Sequence, residues 1–125
     1  MNLPNQASPL LNMAKKDLKA AKILALSDES DIEIIGFHLQ QATEKALKAW
    51  LTQLGQPNIK THDLSFLLHQ LEDLQQDVSH LWELAELNPF AVQFRYGLLD
   101  DEPFDWQTAY QQAKTLITHI EKEST

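Results

Sequence analysis

Apolar residues recur at three- and four-residue steps along almost the whole chain. Leu10, Leu11, Ala14, Leu18, Ala21 and Leu24 form one series, opened by Ser8-Pro9, a capping residue followed by a proline suited to a first helical turn. This predicts a first helix reaching about Leu26. Asp28, Ser30 and Asp31 offer caps for a second helix, whose stripe is Ile35, Leu39, Ala42, Ala46, Trp50 and Leu54, widened by Leu47 and Leu51. Gly55 reads as the residue that ends it, and Pro57 prevents an immediate restart. Thr61-His62-Asp63 caps a third helix through Leu64, Leu67, Leu68 and Leu71, ending near Gln75. A fourth helix starts between Asp77 and Ser79, carries Leu81, Trp82, Leu84, Ala85 and Leu87, and meets Asn88-Pro89, where a kink or break is expected before Phe90 to Tyr96. Pro103-Phe104-Asp105 opens the last helix, through Trp106, Ala109, Tyr110, Ala113, Leu116, Ile117 and Ile120.

No run alternates as a half-buried strand does, and no internal repeat is visible. The expected fold is all-α: an antiparallel, up-and-down bundle of four to five helices with each stripe turned inward. At 125 residues it makes one domain, 1–125, with residues 1–7 and 121–125 expected to fray.

Composition narrows the chemistry. The absence of cysteine excludes disulfides, thiolate zinc sites and cysteine nucleophiles. No leader-like start and no long uncharged apolar run are present, so a cytoplasmic protein without membrane contact is expected. The net charge of −8 is divided unevenly: residues 1–62 hold seven lysines against six acids, and the remainder holds three basic residues against twelve acids. An acidic chain with one arginine is a poor non-specific binder of nucleic acid, because that affinity comes mainly from neutralised phosphates. Any contact with RNA or a nucleotide must be local, and the lysines of the first half are the place to look.

Two groups of residues could carry chemistry. His38, Gln41, Lys45 and Lys48 follow one another at steps of three, four and three, which puts them on a single polar stripe of the second helix. Lysines supply point charges for phosphate, glutamine reads an amide or base edge, and histidine protonates near neutral pH. A solvated helix back, with Glu44 pairing to Lys48 at i, i+4, accounts for the same pattern. Arg95-Tyr96 follows the proline-broken segment among Phe90 and Phe94. A guanidinium can bind phosphate in bidentate fashion beside a stacking ring, or it can tie a loop to helix carbonyls. The remaining signals are bland. Thr61-His62-Asp63 reads as a helix start, His69, His80 and His119 lack a second histidine at i+4, and Gly36, Gly55 and Gly97 build no phosphate-cradling loop. No metal site and no required cofactor are expected.

Phe37-His38-Leu39-Gln40-Gln41-Ala42-Thr43-Glu44-Lys45-Ala46-Leu47-Lys48-Ala49, then Thr61-His62-Asp63-Leu64 with Leu67-Leu68, then Phe94-Arg95-Tyr96, stand in an order and spacing that resembles the HEPN family, the nucleotide-binding domain of higher eukaryotes and prokaryotes. The resemblance spans helix one to about Glu121. It implies a helical bundle, usually a homodimer, often encoded beside a small nucleotidyltransferase as a toxin-antitoxin-type pair. It further implies that the second-helix polar face and Arg95 border one cleft, with a nucleotide such as ATP or GTP as the candidate ligand. Many family members are metal-independent ribonucleases marked by an arginine followed, after four to six residues, by a histidine. Here the positions required are Asp100, Asp101 and Glu102, so three carboxylates stand where an imidazole is needed and a phosphodiester must approach. A binding module that is not itself catalytic is therefore the leading expectation. A ribonuclease using Arg95 with His38 or His62 is the alternative. Leu3, Leu10 and Phe104 are candidates for burial by a second subunit.

Overall fold

The structure is a computed structural model and describes residues 3–27, 31–91 and 104–123, with side chains from residue 7 onward. Among the described residues four α-helices and one 3₁₀ helix follow in order, with no strand: α1 (Leu3–Ala25), α2 (Ile32–Gln53), α3 (Leu64–Asp73), the 3₁₀ helix (Ser79–Ala91) and α4 (Trp106–Glu123). The all-α bundle expected from periodicity is the fold observed.

In α1 the buried positions are Ala7, Leu11, Ala14, Leu18 and Ala21, alternating steps of four and three. The series begins before Pro9. The proline therefore lies inside α1 and not in its first turn, and residues 3–7, expected to fray, are helical because Ala7 is buried in the core. At the other end α4 continues through Glu123, also beyond the expected fraying point.

α2 runs antiparallel to α1 and forms the centre of the bundle, with neighbours in α1, α3, the 3₁₀ helix and α4. It is consequently enclosed on nearly every side, from Ile35 and Gly36 through Leu51 and Thr52. It ends as its sequence predicts. Gly55 takes φ 90°, the Gly55 amide donates to the Thr52 carbonyl, and the Gln56 amide donates to the Leu51 carbonyl. Residues 54–63 then lead back along α2, so that His62 reaches Glu44 at mid-helix.

α3 repeats this ending with a less suitable residue, Gln75 at φ 67°, while Gln76 donates to Leu71 and Gln75 to Glu72. It starts directly after the Thr61-His62-Asp63 run expected to cap it. Asp63 is itself the cap, accepting from the Ser65 amide at 3.0 Å and the Phe66 amide at 3.4 Å. Asn88 completes the corner, donating to the Asp63 carboxylate and accepting from the Leu64 amide at 2.8 Å.

The segment expected as a fourth α-helix broken at Asn88-Pro89 is instead a 3₁₀ helix that passes through Pro89. Val78, Leu81, Leu84, Leu87 and Phe90 are all buried at strict three-residue intervals, and three residues per turn puts every one of them on the same line. An α-helix would rotate that line progressively away from the core. Asp77 caps the segment, accepting from the Ser79 hydroxyl and amide, and these bonds hold its carboxyl below the usual range. The helix runs back along α2, so that Phe90 packs on Gly36 and tilts against the ring of Phe104. Phe104 is thus half-buried within its own chain.

Asp105 caps α4 through the Thr108 amide and hydroxyl. α4 lies antiparallel to α1, with Lys15 paired to Glu121 and Lys22 above Tyr110, and it meets the end of α2 where Gln53 donates to the Ile120 carbonyl.

Candidate functional site

The polar stripe of α2 is not a solvated helix back. Because α2 is central, α1 covers one edge of the stripe and the start of α3 the other. Its side chains are half-buried: Lys45 is 19% exposed and Lys48 12%. Desolvated charges at this depth require partners. Among the described residues no buried side-chain polar atom lacks one.

The partners divide the stripe in two. On the α1 side, Asp17 takes both side chains, with His38 Nδ1 at 3.1 Å from Oδ1 and Lys45 Nζ at 2.6 Å from Oδ2. On the α3 side, Glu44 is the hub. Its Oε1 lies 3.0 Å from His62 Nδ1 and 3.2 Å from Gln40 Nε2, and its Oε2 accepts from Lys48 Nζ at 3.0 Å. Gln40, fully buried, also donates to the His62 carbonyl and accepts from Gln41 Nε2 at 2.8 Å. All four predicted α2 residues therefore belong to one polar band, as a fixed network whose cations are already neutralised.

Glu44 shows what holds the band together. Burial is the largest influence on its carboxyl and favours the protonated form, but hydrogen bonds from His62, Lys48 and Gln40, with the charge of Lys48, outweigh it. The result is a pKa below the ordinary 4.5. An ionised carboxylate only accepts, so the contacts assign a proton to Nδ1 of both His38 and His62 and leave each Nε2 without a hydrogen-bond partner among the described residues.

Asp17 and Gln40 were not singled out from the sequence. A signal existed for Asp17, which lies three residues after Ala14 and four before Ala21, both wholly buried. It had to share their flank of α1, where small side chains let α2 approach. Arg95 and Tyr96, together with Asp100, Asp101 and Glu102, lie outside the described residues. Of the other histidines, His69 contacts Glu72 and packs on Trp82, whose indole also donates to Glu72, and His119 packs edge-on against Trp50. Among the described residues no three histidines or carboxylates gather in a way that could hold a metal ion. No described helix is long and apolar enough to cross a membrane.

Comparison with known proteins is consistent with this arrangement. The crystal structure of TT1696 from Thermus thermophilus superposes with a TM-score of 0.73 at 26% sequence identity, covering 94% of this chain and 98% of that one. A search of curated proteins gives no match. The family model of the HEPN domain matches residues 7–123, from the first buried position of α1 to the end of α4. The chain belongs to the HEPN domain family.

Proposed function

We propose that this chain works by binding and not by cleaving. In this reading it is a HEPN module, homodimeric, whose α2 polar band acts with Arg95 and Tyr96 to dock a small nucleotidyltransferase, as one member of a toxin-antitoxin-type pair. The observation that supports it is the charge balance of the band. Asp17 and Glu44 already hold Lys45 and Lys48, so a nucleotide phosphate would have to compete with two carboxylates for the same ammonium groups. A protein surface has no such difficulty. It can use the rim of a prearranged network, the free imidazole edges and Arg95, at little entropic cost.

Mixing the purified chain with a small nucleotidyltransferase from a neighbouring reading frame, followed by size-exclusion chromatography and calorimetry, tests this. A complex lost in the Lys45→Ala/Arg95→Ala variant is the expected result. ATP and GTP titrations of the same two proteins provide the nucleotide arm. A well-folded chain that does not bind the enzyme overturns the reading.

One observation favours the ribonuclease alternative. His38 and His62 are each oriented by a carboxylate through Nδ1, the arrangement that presents Nε2 as a general base. RNA cleavage by the pure protein, lost in Arg95→Ala and retained in His80→Ala, would establish it. Its absence in a folded dimer removes it.

A further inference from the structure

A second charged surface lies on the opposite side of α1. Lys15, Lys19 and Lys22 sit about 140–160° around that helix from Asp17, at 100° per residue, and so face away from the α2 band. They line an open groove of about 470 Å³ between α1 and α4, with Tyr110, Lys114 and Glu121 on its α4 wall and the apolar flanks of Leu18 and Ile117 in its floor. Four ammonium groups meet one carboxylate there, in a chain whose net charge is −8.

The neutralisation seen on α2 is not repeated here. Lys45 and Lys48 each have a half-buried carboxylate, whereas Lys19 and Lys114 have no acidic partner among the described residues. Lys15 pairs with Glu121 across the mouth, but both side chains are well exposed, 46% and 38%, so the pair is weak and open to competition. The groove thus concentrates positive potential that the fold does not use for its own stability.

We propose that this groove is a binding site for an oligophosphate anion, held by its phosphates and not by a base. Two features select that class. The lysines of α1 are spread over about 10 Å of helix, from Lys15 to Lys22, which suits a linked run of charges better than a single phosphate. The aromatic residue present is already engaged: Lys22 Nζ stands over the Tyr110 ring, 5.7 Å from its centroid, so that this face is not offered for base stacking. Lysine ammonium groups act as point charges and impose no planar geometry on the ligand.

The site is separate from the band assigned above to partner docking, and its test separates the two. Sodium tripolyphosphate and ATP are titrated calorimetrically into the full chain, into Lys19→Gln/Lys114→Gln, and into Lys60→Gln as a single-charge control on an exposed loop position. The two ligands should bind wild type with similar affinity, weakening as ionic strength rises. Loss of two charges should weaken both by about tenfold, and Lys60→Gln should leave both unchanged. Helical circular dichroism and the melting temperature establish that the variants are folded. Failure of tripolyphosphate to bind, binding of ATP alone, or equal weakening by Lys60→Gln each overturns the proposal. If Lys45→Ala/Arg95→Ala abolishes binding while the groove variant does not, the groove is wrong and the α2 band is the anion site. If the groove variant alone fails to bind yet still docks the nucleotidyltransferase, both assignments stand.

Discussion

Gly36 offers a stringent test of how the bundle is packed, because helix propensity and tertiary contact predict opposite signs for one substitution. In an exposed helix interior, replacing glycine with alanine stabilises by about 1 kcal/mol. At position 36 a Cβ would lie 2.3, 2.4 and 2.5 Å from Cδ1, Cε1 and Cγ of Phe90. Ordinary carbon contacts are about 3.5–4.0 Å, so the ring must retreat by roughly 1 Å or more. It has little room to do so, being 4% exposed and tilted against Phe104 with centroids 4.9 Å apart. Overpacking of this kind costs about 1–3 kcal/mol, and with so large an overlap the upper half of that range applies. Net destabilisation of about 1–2 kcal/mol is expected for Gly36→Ala. Urea denaturation followed by circular dichroism should show a lower midpoint at unchanged slope. Removing the ring should then reverse the sign: in a Phe90→Ala background, itself less stable than wild type, Gly36→Ala should stabilise by about 0.5–1 kcal/mol, giving a coupling of about 1.5–3 kcal/mol. A stabilising Gly36→Ala in the wild-type chain, or the same cost in both backgrounds, refutes the contact between α2 and the 3₁₀ helix.

Three further outcomes follow from named contacts. The two helix endings have the same hydrogen bonds but different residues at positive φ, so Gly55→Ala should lose about 1 kcal/mol and Gln75→Gly should gain up to about 1 kcal/mol, read as opposite shifts of the urea midpoint. Asn88→Ala removes both the acceptor of the Leu64 amide and a donor to Asp63, and should cost about 1–2 kcal/mol in the same assay; an unchanged midpoint would exclude that corner as a stabilising contact. Glu44 has a folded pKa below its unfolded value, so its contribution is present above about 4.5 and is lost as pH falls through the lower folded value. Stability should therefore decline with acid below that point. Glu44→Gln, which leaves Lys48 without its counter-ion, should be less stable at neutral pH and show a shallower acid decline, and an identical pH profile for the two proteins would contradict the network.

The outline of the bundle was legible in the chain because helix geometry is local. The steps of three and four that bury Leu11, Ala14, Leu18 and Ala21, the stripe of α2, Gly55 at a left-handed ending and Asp105 before α4 all depend on residues within a turn or two of one another. The three-residue spacing from Val78 to Phe90 was also present, but Trp82 and Ala85 supply four-residue steps that fit an α-helix equally well. Only burial against α2 separates the two windings. Similarly, Pro9 signals a helix start until Ala7 is seen to be buried.

Periodicity determines which side chains share a face; it says nothing of what covers that face. His38, Gln41, Lys45 and Lys48 share one by their spacing, yet whether they met water, a ligand or other residues was decided by partners far away in sequence. Asp17 is 21 residues from His38 and 28 from Lys45, and His62 is 18 from Glu44. The position of α2 at the centre of the bundle turned a stripe of apparent cations into a neutral network. The packing of α4 on α1 left the unneutralised lysines in a groove elsewhere. Charge on a helix is fixed by its residues, but its availability depends on the neighbours that folding brings within a few ångströms, where desolvation makes each unpaired charge costly.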